Sequence, residues 1–176
     1  MIIKQAGLES TTLSQFDLLS KNEVGLSSAF AYLLGKEQKI LYSFLRFLGL
    51  DLRKISNNFD DVAILKENVN EEGRTDIEII IKNELYIIIE CKVNNNKLGK
   101  QREQYLKFLK QQKEKIKIQC FITQYRDSSI IKTEDIKTIN ADWKNIIEYF
   151  INNNKYELRK NSLLKDFINF ATKNFK

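Results

Sequence analysis

The stretch Gly73-Arg74-Thr75-Asp76-Ile77-Glu78-Ile79-Ile80-Ile81-Lys82-Asn83-Glu84-Leu85-Tyr86-Ile87-Ile88-Ile89-Glu90-Cys91-Lys92-Val93 sets the reading of the whole chain. It holds two runs rich in β-branched residues, Ile77 to Ile81 and Tyr86 to Ile89, around the turn-prone Lys82-Asn83-Glu84, which predicts a β-hairpin. Side chains alternate along a strand, so Asp76 and Glu78 share one face of the first strand, and Glu90 and Lys92 share one face of the second. The continuous apolar runs imply a sheet covered on both faces, where an unpaired carboxylate is costly. A divalent cation held by Asp76 and Glu90, with Lys92 beside it, would offset that cost, and these residue types suffice for metal-assisted phosphodiester hydrolysis. Parity adds a condition. A two-residue turn would pair Asp76 with Cys91 and send Glu90 to the other face, so a shared site requires an odd-length loop or a bulge. Glu78 is left either as a spare metal ligand or as the partner of a neighbouring lysine.

The chain has 176 residues, which is ample for one domain with a substantial core and short for two, and the expectation is a single domain over residues 1–176. Its 29 basic and 23 acidic residues leave a net charge of +6, which favours a polyanionic partner. There is no histidine. That excludes a His general base, a His-ligated zinc site, a Ser-His-Asp triad and any nuclease scheme built on histidine, leaving acid–base work to carboxylates, Lys, Tyr or water. Cys91 and Cys120 fall inside strand-like runs and read as small core residues in a reducing compartment. No apolar run approaches the length of a membrane span and the N-terminus has no secretion-type apolar region, so the expected location is the cytoplasm.

Upstream, Asn22 reads as the cap of a helix whose stripe runs through Glu23, Leu26, Ser27, Phe30, Leu33 and Leu34 to Gly35, and a second helix spans about Glu37 to Leu48. Glu23 heads an apolar stripe; it either serves the helix dipole or points toward whatever the helix packs on. A first strand is expected near Val62 to Leu65, then an acidic turn at Asn70 to Glu72. Downstream, a helix from about Leu98 to Lys113 has Leu98, Gln101, Tyr105, Phe108 and Leu109 on its stripe, with Tyr105 read as core. Its other face and flanks are basic: Lys97, Lys100, Arg102, Lys107, Lys110, Lys113, Lys115 and Lys117, either a solvated face or a track for a phosphate backbone. A strand at Ile116 to Thr123, a short strand near Ile136 to Ile139, a helix capped by Asn140 and a last helix from Tyr156 to Phe175 complete the chain.

An Asp, a hydrophobic strand and then Glu-x-Lys, here Asp76 and Glu90-Cys91-Lys92, resembles the PD-(D/E)XK nuclease superfamily, and Gly73-Arg74-Thr75-Asp76-Ile77 resembles the GRxDI form of its first half-motif. The resemblance runs from about Glu23 to the C-terminal helices. It departs at one place, where Thr75 stands instead of the proline before the Asp. The resemblance implies a restriction-endonuclease-like α/β/α core with a mixed central sheet flanked by helices. It also implies Mg²⁺ or Mn²⁺ held by Asp76, Glu90 and the Cys91 backbone carbonyl. Glu23 would complete the site directly or through water, Lys92 would orient or help deprotonate the attacking water, and Gln101 would contact that water or the scissile phosphate. The nucleic-acid surface would comprise Arg74, Lys97, Lys100, Arg102, Lys107 and Lys110. The function implied is a Mg²⁺-dependent DNA endonuclease of bacterial or phage defence, mobile elements or repair, with DNA ahead of RNA and with a homodimer or partner protein as a source of specificity. The alternatives are a ribonuclease of the same chemistry and a non-catalytic nuclease-like module that binds nucleic acid or protein.

Overall fold

The computed structural model describes residues 15–55, 61–93, 100–124 and 133–175. Its centre is a five-stranded mixed sheet in the order β1-β4-β5-β6-β7. These strands are β1 (Val62–Lys66), β4 (Ile77–Ile81), β5 (Leu85–Cys91), β6 (Ile116–Thr123) and β7 (Ile136–Asp142), while β2 (Val69–Asn70) and β3 (Gly73–Arg74) form a separate two-stranded ribbon. β1, β4 and β5 run antiparallel; β5, β6 and β7 run parallel. The chain is therefore a restriction-endonuclease-like α/β fold, its helices covering the sheet from two sides.

The helices are α1 (Glu23–Lys36), α2 (Gln38–Phe47), α3 (Gln101–Gln111), α4 (Trp143–Asn153), α5 (Lys155–Lys160) and α6 (Ser162–Asn174). Strand alternation sends Ile77, Ile79, Ile81, Leu85, Ile87, Ile89, Cys91, Ile118, Cys120 and Ile122 to one face, where they form a single core with α1, α2, α4 and α6. Phe30 of α1 sits at its middle, edge-on to Phe44 at 5.0 Å and Trp143 at 5.3 Å and stacked on Phe167 at 5.6 Å. Burying each such side chain contributes roughly 1.5–3 kcal/mol. The opposite face carries a smaller cluster of Tyr86, Ile88, Tyr105, Leu109, Phe121 and Ile136, covered by α3. The polar residues Asp76, Glu78, Glu90 and Lys92 belong by parity to this second face.

The loop between β4 and β5 is the three-residue turn Lys82-Asn83-Glu84, with Asn83 in the left-handed region at φ 64° and Ile81 paired with Leu85. The odd length required for Asp76 and Glu90 to share a face is thus present. Ile77 pairs with Ile89, so one further step of the same register sets Asp76 opposite Glu90.

α1 begins where expected: Asn22 Oδ1 accepts from the Gly25 N–H at 3.0 Å. Gly25 is obligatory here, because a Cβ would lie 1.7 Å from the Ser20 carbonyl oxygen. Gly25→Ala is expected to lower stability by about 2 kcal/mol or more and to displace the N-terminus of α1, and a chemical-denaturation midpoint unchanged from the parent would contradict this.

Several expectations are corrected. Asn140 does not cap α4; β7 runs on to Asp142, whose Oδ1 accepts from the Asn145 N–H at 2.7 Å. The C-terminal helix is two helices, since Asn161 leaves helical geometry and caps α6 through the Leu164 N–H. The acidic turn at Asn70 to Glu72 is the tip of the β2–β3 ribbon. Arg102 is not on the exposed face of α3; it is turned to the sheet, 8% exposed, with its guanidinium 4.5 Å from the Phe121 ring centroid and Nη2 donating to Asn140 Oδ1 at 3.1 Å. A flat, weakly hydrated cation stacks well on an aromatic face, which lets an arginine enter an apolar cluster. Lys97 and Leu98 lie outside the described residues.

Candidate active site

The site forms at the edge of the sheet where parallel β5 and β6 end, the place where open α/β sheets bind ligands. The end of β5 delivers Glu90 and Cys91, with Lys92 directly after it; Asp76 directly precedes β4; the N-terminus of α1 delivers Glu23; and the first two turns of α3 deliver Gln101 and Tyr105. Glu90 is only 2% exposed, so its charge must be met by protein groups. Three donors meet it. Lys92 Nζ lies 2.6 Å from Oε1, Gln101 Nε2 donates to Oε1 at 2.5 Å, and the Tyr105 hydroxyl donates to Oε2. Gln101 and Tyr105 stand four residues apart on one face of α3, the spacing at which helix side chains converge on a single target. The sequence places Tyr105 in the core; its ring is there, stacked on Phe121 at 6.2 Å, but its hydroxyl belongs to the site. The Gln101–Tyr105 spacing was the available signal.

Lys92 also reaches Glu23, Nζ to Oε1 at 2.9 Å, and the other Glu23 oxygen accepts from the Val93 N–H at 3.2 Å. Glu23 therefore does more than complement the helix dipole: it ties α1 to the end of β5. Burial works against the Lys92 charge, but the hydrogen bonds to Glu23 and Glu90 outweigh it and hold the lysine above its ordinary range. In this arrangement the Lys92 ammonium is held between two carboxylates.

Asp76 accepts from the Cys91 N–H through Oδ2 at 2.8 Å. Burial, followed by the charge of Glu90, pushes its carboxyl up to about 6, against the opposing pulls of the Cys91 N–H and Lys92. The residues fit a hard divalent cation on this observation: Asp76 is buried beside a second carboxylate, Glu90, and resists ionisation, which is the electrostatic condition a bound cation relieves. The donors are oxygens, with no histidine in the chain. The Cys91 thiol sits in the core on the other side of the sheet, pushed well above its usual range by burial and by the Asp76 and Glu90 charges, so it is no ligand. Its backbone carbonyl, by strand geometry, points to the same side as the N–H that meets Asp76. Among the described residues no three acidic or thiol side chains stand together as a ready-made cage. Magnesium commonly takes only one or two carboxylates and keeps water for the rest.

Glu78 is neither a spare ligand nor a lysine partner. It is wholly buried, accepting from Thr75 Oγ1 at 2.8 Å, Tyr86 Oη at 2.7 Å and Asn68 Nδ2 at 3.0 Å, all neutral donors. This explains the threonine before Asp76. Its N–H donates to the Asn68 carbonyl at 2.9 Å and its hydroxyl to Glu78, and a proline could supply neither bond.

Of the basic residues, Arg74, Lys100 and Lys110 are exposed, and exposed Lys107 lies 2.6 Å from Glu72.

The mixed sheet thus sets Asp76 opposite Glu90-Cys91-Lys92, the residues on which the resemblance rests. A family model described as the PD-(D/E)XK nuclease superfamily matches residues 13–169, and the chain belongs to that superfamily. No curated protein and no solved structure gives a significant match. Among the described residues no helix is long and apolar enough to cross a membrane.

Proposed function

We propose that the chain is a divalent-metal-dependent nuclease that cuts DNA, using Mg²⁺ or Mn²⁺. The observation that carries this reading is the pairing of Asp76 with Glu90 on one face of the sheet, with the Lys92 ammonium held against Glu90 and Glu23. Asp76, Glu90 and the Cys91 carbonyl would hold the cation, and Glu23 would complete the set directly or through water. A cation bound there supplies Lewis acidity, lowering the pKa of a coordinated water and offsetting charge on the phosphate. Lys92 keeps a positive charge at the reacting phosphate, and Gln101 and Tyr105 hold the Glu90 carboxylate in one orientation. The net charge of +6 and the exposed Arg74, Lys100, Lys107 and Lys110 suit a polyanion in the same region. Genome defence, mobile-element or repair work is the setting we assign, with specificity drawn from a second copy or a partner protein.

A second reading has one observation in its favour. Lys92 already pairs with both Glu23 and Glu90, as it would in a nuclease-like module that binds nucleic acid without cutting it. Incubation with supercoiled, linear and single-stranded DNA and with RNA, each in Mg²⁺, Mn²⁺ or EDTA, separates the possibilities. Cation-dependent loss of DNA supports the proposal, loss of RNA alone redirects it, and no cleavage of any substrate sinks it.

The basic face makes its own prediction. In the Lys100→Ala/Lys107→Ala/Lys110→Ala variant, affinity is expected to fall for all sequences alike, with the log–log salt slope flattening by roughly 0.9 for each phosphate that the protein no longer neutralises. Thermal stability should barely move, and an unaltered slope would show that this face is merely solvated.

A further inference from the structure

The β2–β3 ribbon is far too small to be stable alone, yet it is fastened at both ends. At its root, Asn68 and Thr75 both donate to the buried Glu78 carboxylate, and the Thr75 N–H donates to the Asn68 carbonyl. Along its second strand the Tyr105 hydroxyl reaches the Arg74 carbonyl at 3.2 Å, and at its tip Glu72 meets Lys107. The Arg74 backbone therefore stands one hydroxyl away from Glu90, and two residues from Asp76. Glu78, a buried carboxylate with no part in the proposed chemistry, finds its use in holding this ribbon.

What the ribbon presents is unusual for its place. Val69 and Arg74 are direct cross-strand partners, so their side chains project from the same face. Val69 is 74% exposed, the most exposed large apolar side chain among the described residues. Arg74 is exposed and makes no ion pair among them. A lone exposed valine is ordinary; an exposed valine set rigidly beside an unneutralised arginine next to a catalytic acid is a contact surface. The ribbon tip carries Glu71 and Glu72, which phosphates would repel, so the ribbon would lie along a strand with its Val69–Arg74 face and would not insert tip-first into a groove.

We propose that the Val69–Arg74 face of the ribbon grips the DNA strand being cut, Arg74 on a backbone phosphate flanking the scissile one and Val69 against the apolar surface of the adjoining sugar. This rests on the nuclease reading and specifies where the substrate lies. The test measures anisotropy of a short fluorescein-labelled duplex with the full-length protein in EDTA across a salt series, alongside cleavage in Mn²⁺. Arg74→Ala is expected to weaken binding and flatten the salt slope by about 0.9. Val69→Ser is expected to weaken binding roughly fivefold with the slope unchanged, as follows when only apolar burial is removed, and Val69→Ile should keep parental affinity. Both side chains are exposed, so parental melting curves are expected throughout. Parental affinity and slope in both Arg74→Ala and Val69→Ser, with the parent still cutting DNA, overturn the ribbon's grip on the strand and leave the nuclease reading standing. A parent that neither binds nor cuts nucleic acid overturns both.

Discussion

Lys92→Ala is expected to keep divalent-cation and nucleic-acid binding while losing cleavage by roughly 100-fold or more, about what one well-placed electrostatic group contributes to a transition state. Lys92 Nζ lies 2.6 Å from Glu90 and 2.9 Å from Glu23, and those bonds hold its proton on. Its contribution is thus a charge that is already in place when the phosphate reacts and needs no reorganisation. Removing it also leaves Glu90 buried without its cationic partner, which destabilises the cation-free protein. Cation binding is expected to restore much of that stability, because it supplies the missing positive charge. Calorimetric titration with Mn²⁺, melts with and without Mn²⁺, and single-turnover cleavage distinguish these effects. If cation affinity falls in parallel with cleavage, Lys92 holds the site together and its charge does not act on the phosphate.

The parts of the site that were legible in the sequence are those written in local periodicity. Alternation through Ile77–Ile81 and Leu85–Cys91 paired Asp76 with Glu78 and Glu90 with Lys92, and a site shared by the two pairs required an odd loop or a bulge, of which Lys82-Asn83-Glu84 is the loop. Glu23 was half legible: an acid heading an apolar stripe either serves the helix dipole or points at what the helix packs on, and what it meets, Lys92 and the Val93 N–H, lies far along the chain. What escaped depended on tertiary partners. Arg102 reads as one more charge in a basic run, and the Phe121 ring and the Asn140 side chain that meet it come from strands distant in sequence. Asn140 and Asp142 are both good caps, and which one is used depends on how far β7 pairs with β6, down to Thr123 opposite Asp142. The Glu78 partners lie three, eight and ten residues away along the chain at spacings that follow no single period, so it is the pairing of the strands that brings them onto one carboxylate. The β2–β3 ribbon has two residues per strand, below any periodic signal.

Asp76→Asn is expected to abolish cleavage and high-affinity cation binding while making the cation-free protein more stable above pH 6. The Asp76 carboxyl is pushed up to about 6 from an ordinary 3.8 by burial and by Glu90, so the folded state holds this proton more tightly than the unfolded chain does. Its contribution to stability is therefore complete below the unfolded value and is lost as pH rises through about 6, a loss on the order of 2 kcal/mol at about 1.4 kcal/mol per unit, discounted for the partial exposure of Asp76. An Asn at this position never ionises. Its carbonyl can still accept from the Cys91 N–H, and its amide turns a donor toward Glu90 where the carboxylate turned a second negative charge. With saturating Mn²⁺ the ranking reverses, since only the parent gains the stability that cation binding adds. The same proton competes with the cation in the parent, whose affinity is expected to fall about tenfold per unit as pH drops below about 6. Melts of both proteins between pH 4 and 8, in EDTA and in Mn²⁺, test the stability and cation parts of this, and a cleavage assay in Mn²⁺ tests the rest. A variant that is no more stable than the parent at pH 8 in EDTA, or that retains the Mn²⁺-dependent rise in melting temperature, would show that Asp76 is neither the strained carboxylate nor the ligand this site requires.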